Sequence, residues 1–284
     1  MKKLKQIIAE INNTEYQDTN NLQDLLLRYI CYAPKTPLRI FQESLLQRAE
    51  TTTLTVFDEY FSKQELSFQT FKWGNGSKKI LLTHGWGSKT ADFYEIIIAL
   101  EQLGDVQIIA FDAPGNGASE GELSSLLLFV EGVKAMVGHY GEPEVTIGHS
   151  LGAMANIIAM DQLQIHPNQL ISIAPLIDLG KNFEASMDAL DIPKAIQQTF
   201  FEHFEKRFGN PVSNYTLLGW PGLGTELSKH WIAYDETDLV SPYAFMKAFL
   251  DSSSLIASTN YLNAGHERMI KSPAVIQDLL KFLG

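Results

Sequence analysis

Residues 144–155 read EVTIGHSLGAMA, and the rest of the chain is interpreted around them. Residues 144–147 form a short run rich in β-branched side chains, which marks a buried strand. Gly148-His149-Ser150-Leu151-Gly152 follows. Ala153, Met154, Ala155, Ile157, Ile158 and Met160 then make a helix-forming run. G-x-S-x-G is short enough to recur by chance. A strand before it and a helix after it make it a nucleophile elbow. A serine on so tight a turn occupies strained backbone, and its neighbours two residues away must lack bulk. Gly148 and Gly152 meet that need. The turn lifts the hydroxyl clear of the sheet and points the free N–H groups of the new helix at it.

Outward from the elbow the pattern alternates. Residues 53–57 and 66–73 have the two-residue period of strands, and Gly74-Asn75-Gly76-Ser77 reads as a hairpin turn. Residues 79–83 are a third strand running into His84-Gly85-Trp86-Gly87. A helix is expected over 91–103, with Tyr94, Ile97 and Ile98 on one face. A strand over 106–111 ends in the turn Asp112-Ala113-Pro114-Gly115-Asn116-Gly117, and a long apolar helix over 123–139 follows. Beyond the elbow come strands at 170–174, 231–234 and 255–261, with helices over 242–250 and 273–282. Eight strands, alternating with helices after an N-terminal hairpin, predict an α/β fold. Its sheet is mostly parallel and covered by helices on both faces.

The alternation stops between 176 and 229, where no strand signal appears, so a small helical insertion is expected there. Phe200, Phe204 and Phe208 recur in it at four-residue spacing. Core packing is the plainer reading of that stripe, and contact of Phe200 and Phe204 with an apolar substrate the sharper one. Within residues 1–50, Leu22, Leu25, Leu26, Tyr29 and Ile30 predict an amphipathic helix before Pro34 and Pro37, and a second is expected over 38–48. The pair is expected to pack as a separate segment on a main domain of residues 51–284. A sharper alternative is an amphipathic membrane contact through Lys2, Lys3 and Lys5.

The 284 residues, 45% hydrophobic, suffice for a sizeable core, and no apolar run reaches eighteen, so no membrane span is expected. Glu10 interrupts the apolar stretch of the basic N-terminus and no cleavage site follows, so it does not read as a signal peptide. A net charge of −11 argues against nucleic acid and anionic membrane surfaces as partners. The single cysteine, Cys31, excludes an intrachain disulfide and any cysteine-based zinc cluster, and fits a cytoplasmic protein. No H-E-x-x-H or similar spacing occurs, so no metal is expected. Gly115-x-Gly117 lacks the third glycine of a dinucleotide fingerprint, and no cofactor is expected.

From about Thr53 onward the chain resembles the α/β-hydrolase superfamily. His84-Gly85-Trp86-Gly87 is similar to its oxyanion loop, the stretch 112–119 to its D-x-P-G-x-G-x-S turn, and 148–152 to its elbow. Asp235-Glu236-Thr237-Asp238 with Val240 and Pro242 resembles its acid loop, and Gly265-His266 its histidine loop. The order Ser, Asp, His agrees with the family. The resemblance implies an α/β-hydrolase fold with the insertion as its cap, and an oxyanion hole made by the backbone N–H groups of Trp86 and Leu151. It also puts the acid at Asp238, four residues before Pro242, leaving Asp235 to cap its turn.

The chemistry is consistent on its own terms. A serine hydroxyl at neutral pH needs a base, and His266 is the candidate for Ser150. An imidazole needs a carboxylate to hold its tautomer, and Asp238 is placed to provide it. His149 is expected to pack beside the nucleophile rather than act as base, His84 to brace the oxyanion loop, and Asp112 to shape its turn. His139, His166, His203 and His230 lack motif context. The expected activity is hydrolysis of an ester or related acyl bond, with a small apolar acyl compound as partner. Thioesterase, proline-type aminopeptidase, C–C hydrolase and cofactor-free haloperoxidase chemistry use the same triad. A ligand receptor with slow turnover is the reading from another class. No pattern in the sequence sets an oligomeric state.

Overall fold

A computed structural model describes residues 2–14, 19–220 and 228–284. Residues 221–227 of the expected insertion lie outside it. The elements run α1 (Lys2–Asn13), α2 (Thr19–Cys31), α3 (Ile40–Gln47), β1 (Glu50–Phe57), β2 (Glu65–Trp73), β3 (Lys78–Thr83), α4 (Tyr94–Glu101), β4 (Val106–Phe111), α5 (Leu126–Tyr140) and β5 (Val145–His149). Then come α6 (Leu151–Leu163), β6 (Gln169–Ile173), α7 (Leu179–Asp188), α8 (Lys194–Phe208), β7 (Lys229–Tyr234), α9 (Tyr243–Asp251), β8 (Ile256–Asn260) and α10 (Pro273–Leu283).

The eight strands form one sheet in the order β1-β2-β4-β3-β5-β6-β7-β8. β1 and β2 are an antiparallel hairpin, β2 is antiparallel to β4, and β3 to β8 are parallel. Parallel strands must be covered on both faces, and the strand alternation sorts the core accordingly. Leu81, Ile109 and Phe111 pack with α5 and α6, while Ile80, Leu82, Ile108 and Ala110 pack with α4 and α10. This is the α/β-hydrolase architecture expected from the sequence.

Two expectations need correction. Gly74-Asn75-Gly76-Ser77 does not join a paired hairpin, because β4 lies between β2 and β3. The segment instead crosses the start of β4. Gly76 donates its N–H to the Val106 carbonyl, and a Cβ on it would lie 2.1 Å from the Val106 nitrogen, so the glycine serves close backbone approach. Residues 1–50 hold three helices rather than two. α1 was missed, although Leu4, Ile7 and Ile11 recur at helical spacing. Ile7 and Ile11 are buried and Lys3 pairs with Glu122, so the apolar face proposed for lipid is spent inside the protein.

Two glycines of α5 test the packing in opposite directions. A Cβ on Gly132 would lie 2.7 Å from the ring of fully buried Phe111, whereas one on Gly138 meets nothing within 4 Å. Gly132→Ala is expected to destabilise the fold by about 1–3 kcal/mol, and Gly138→Ala to stabilise it by about 0.5–1 kcal/mol. Thermal melts of the two variants check the opposite signs.

Candidate active site

Ser150 stands between β5 and α6 at φ 52° and ψ −121°, a strained conformation of the kind that costs roughly 1–3 kcal/mol. Its N–H donates to the Ile173 carbonyl at 3.0 Å, which ties it to β6. A Cβ on Gly148 would lie 2.3 Å from the Cα of Ala153, and one on Gly152 2.3 Å from the carbonyl oxygens of Thr83 and His84. These contacts are to backbone and cannot yield. Gly85 is tight as well, though against side chains: its Cβ would lie 2.8 Å from His149 Nδ1 and 3.1 Å from the Ser150 Cβ. Three glycines let the elbow, the first turn of α6 and the loop after β3 crowd around one hydroxyl.

The loops after β7 and β8 complete the cluster. His266 Nε2 lies 2.9 Å from Ser150 Oγ, and its Nδ1 lies 2.6 Å from Asp238 Oδ2. The other Asp238 oxygen accepts from the N–H groups of Val240 (2.8 Å) and Ser241 (3.1 Å). Burial pushes the Asp238 carboxyl up, but the His266 ring and these N–H groups outweigh it and hold it below the usual carboxylate range. It is therefore ionised at neutral pH, as an imidazole partner must be. His149 Nε2 bonds to the His266 carbonyl at 3.1 Å. Burial first, and the neighbouring His266 second, push His149 down to about 3, so it stays neutral and braces the histidine loop.

Asp235 does more than cap its own turn. One of its oxygens accepts from Thr237 N–H (2.9 Å), Thr237 Oγ1 (2.8 Å) and Asn263 N–H (3.2 Å), and the other from Gly265 N–H at 2.8 Å. It thus joins the acid loop to the residue preceding His266. Burial raises its pKa, yet the four donors overcome that and hold it low.

The loop after β3 is fixed from behind. His84 Nε2 accepts from Ala113 N–H at 2.9 Å, so the ring proton sits on Nδ1, which faces the Gly85 carbonyl at 2.6 Å. Burial pulls the His84 pKa down, consistent with a neutral ring. Asn116 Oδ1 accepts from Gly87 N–H at 3.0 Å, and Asp112 accepts from Thr90 N–H and Ala118 N–H, both at 2.8 Å. Trp86 stacks on buried Phe129. Among the described residues the N–H groups of Trp86 and Leu151 donate to no acceptor, and both residues border the cavity above Ser150. A carbonyl oxygen seated there has two donors available.

That cavity has a volume of about 690 Å³. Leu176, Leu179, Phe183, Phe204, Phe208 and Tyr215 form an apolar wall of it. Phe204 therefore faces the cavity, whereas Phe200, wholly buried, does not border it and packs on Phe183 and Phe201. Four residues advance a helix slightly more than one turn, so the stripe rotates between the two positions. Tyr29, Ile30, Cys31, Tyr32 and Pro34 of the N-terminal segment border the same cavity. α2 is held to α8 by Asp24, which meets His203 at 3.2 Å and Arg207 at 3.5 Å.

The structure thus brings Ser150, Asp238, His266, Trp86, Leu151 and Phe204 to one place and leaves Phe200 in the core. Sequence reasoning missed Asn116, the bridging role of Asp235, and the contribution of residues 29–34. Asn116 sat inside a stretch already read as a turn, and the N-terminal segment carried no motif. His230, without motif context, bonds Ser172 Oγ at 2.9 Å, and burial pushes it down to about 4. Among the described residues no group of three or more His, Cys, Asp or Glu side chains is placed to hold a metal, and no helix is long and apolar enough to cross a membrane.

Comparison with known proteins follows the same lines. The profile of the Alpha/beta hydrolase family matches residues 80–277. A Rattus norvegicus protein named Monoglyceride lipase is 31% identical over 112 residues, covering 37% of this chain and 37% of its own length. The match therefore spans little more than a third of that relative. Among solved structures, alpha/beta hydrolase domain-containing protein 10 from mouse superimposes with a TM-score of 0.62 at 18% identity, over 83% of this chain and 100% of that one. A Pyrococcus furiosus esterase superimposes with a TM-score of 0.56 at 17% identity, over 89% and 97% of the two chains. At these identities the likeness to the two structures is one of fold.

The Asp235 bridge yields a pH-dependent prediction. A carboxylate whose folded-state pKa is depressed adds stability above its unfolded value, near pH 4, and loses it as pH falls through the folded value. Asp235→Asn turns an amide N–H₂ toward one of the four donors. It is expected to cost about 1–3 kcal/mol at neutral pH, a deficit that shrinks in strong acid. Denaturant melts of parent and variant from pH 7 to pH 3 check it; a deficit that grows on acidification contradicts the bridge.

Proposed function

The chain belongs to the α/β hydrolase family, and we propose that it is a serine hydrolase cleaving an ester or related acyl bond through an acyl-enzyme. The observation that carries this reading is the pair of hydrogen bonds linking Asp238 to His266 and His266 to Ser150. Ser150 Oγ attacks the acyl carbon while His266 Nε2 takes its proton. Asp238 holds the ring with Nδ1 protonated and stabilises the imidazolium. The tetrahedral oxyanion accepts from the N–H groups of Leu151 and Trp86, each worth about 3–4 kcal/mol in comparable sites. Collapse releases the alcohol, protonated by His266, and water repeats the sequence on the acyl-enzyme.

Residues 176–229 serve as a cap on the hydrolase domain, aided by residues 1–50. Phe204, Phe208 and Phe183 favour an apolar acyl group of small to medium length. The similarity to a monoglyceride lipase supports a carboxylic ester as the bond cleaved.

Ser150→Ala is expected to fold normally and to lose three or more orders of magnitude in kcat. A fluorophosphonate should label the parent at Ser150 and leave the variant unlabelled, and labelling of the variant would overturn the assignment. Asp238→Asn should lower kcat by about four orders of magnitude with the fold intact, since it favours the wrong histidine tautomer. It should exceed the effect of Asp235→Asn on the same ester.

Phe204→Ala and Phe200→Ala separate wall from core. Phe200→Ala is expected to cost about 3–5 kcal/mol of stability without changing acyl-length preference, and Phe204→Ala to shift that preference toward longer chains. A series of chromogenic esters graded in acyl length, run with thermal melts, reads both.

A further inference from the structure

One corner of the cavity differs from its apolar wall. It is formed by the stretch 36–42, the loop 87–92 that follows Trp86, and the short turn Met269–Lys271. Its centre is Lys89, only 5% exposed. Lys89 Nζ donates to Thr36 Oγ1 at 2.7 Å, and its nearest carboxylate oxygen, on Asp92, is 3.7 Å away. That distance lies beyond hydrogen-bond reach.

Asp92 is engaged elsewhere. Its oxygens accept from Gln42 Nε2 (2.9 Å), Ser88 Oγ (2.7 Å) and the Lys89 backbone N–H (3.2 Å). The buried ammonium therefore uses one of its three hydrogens within reach. A charge taken out of water and left so incompletely paired is expensive unless something else completes it. Arg39 and Lys271 border the same corner. Among the described residues neither lies within 4 Å of a carboxylate, and Glu267 is the further acidic residue on this rim. Three cations thus gather at one mouth of a chain whose net charge is −11.

We propose that this corner is an anion-binding subsite: the substrate carries a carboxylate or phosphate apart from its acyl chain, bound by Lys89 Nζ with Arg39 and Lys271 at the rim. The inference rests on the serine-hydrolase reading and names the substrate class for that site, an anionic amphiphilic ester. The apolar wall takes the acyl chain and the elbow holds the scissile carbonyl. The anionic end is drawn to Lys89, which follows the oxyanion loop directly. A neutral ester of the same length leaves the ammonium unsatisfied, so the site discriminates by charge.

Binding to the full-length Ser150→Ala chain tests this independently of turnover. Calorimetric titrations compare octyloxyacetate, octyl phosphate and the uncharged octyloxyacetamide, all resistant to hydrolysis. The expected result is at least tenfold tighter binding of one or both anions than of the amide, and the stronger of the two identifies carboxylate or phosphate. Adding Lys89→Met should abolish the preference, and Lys89→Arg should retain most of it. Should Lys89→Met fail to fold, the exposed pair Arg39→Gln/Lys271→Gln decides, with an expected fall in preference of at least threefold. Equal affinity for anions and amide overturns the proposal. So does a preference that survives both Lys89→Met and the rim pair, which would leave Lys89 as a brace between Thr36 and the oxyanion loop. Failure of a fluorophosphonate to label Ser150 in the parent would instead strike the hydrolase reading, with the binding result standing apart.

Discussion

Ser150 is held at φ 52° and ψ −121°, a conformation an isolated chain would leave at once. The surroundings over-determine it. Its N–H is bonded to Ile173 on β6, its carbonyl accepts from Leu176 N–H at 3.2 Å, and backbone on both sides passes too close for any residue but glycine at 148 and 152. This requires a stiff platform. β5 lies inside the sheet between β3 and β6, with every residue buried. The two-sided core of a parallel sheet is therefore what keeps one hydroxyl in place, while the first turn of α6 and the α7 and α8 side chains that wall the cavity complete the site.

Charge is handled with similar economy. Asp238 and Asp235 are nearly buried carboxylates, both kept ionised by several donors. They divide the work, because Asp238 faces the His266 ring and Asp235 fixes the backbone that carries it. His84 and His149 are the opposite case. Burial keeps them neutral, and each uses a ring nitrogen to hold a loop. Asp238, Asp235 and His149 thus serve the geometry of His266, and His84 that of the loop after β3.

Local signals made most of the architecture readable. The elbow at 148–152, the loop at 84–87 and the turn at 112–119 each announce a backbone conformation through glycine and proline, and strand periods place them at the ends of strands. Ser150 and His266 were legible for the same reason, since each stands beside such a signal, whereas Asp238 is distinguished from Asp235 only through the resemblance to the family's acid loop. What stayed hidden depends on distance along the chain. Gly74-Asn75-Gly76-Ser77 carries a turn signature, but that β4 inserts beside β2 is decided by sheet pairing, which no local pattern encodes. Phe200 and Phe204 look equivalent in sequence and differ only in where α8 faces. The second attachment of Asp235, to Gly265, is likewise invisible until the loops after β7 and β8 are brought together.

The site draws its parts from both ends of the chain, and that has a consequence for biosynthesis. Tyr29 OH reaches the Ser186 carbonyl across 157 positions, and Ser150 meets His266 across 116. On a ribosome adding about 5–20 residues per second, the serine emerges several seconds or more before its histidine. For roughly the first half of that interval α2 lacks the partners it finds in α7 and α8, because α8 ends only at Phe208. The nascent chain is therefore chemically silent until His266 appears, and until α8 has followed α2 the apolar face of α2 stays uncovered.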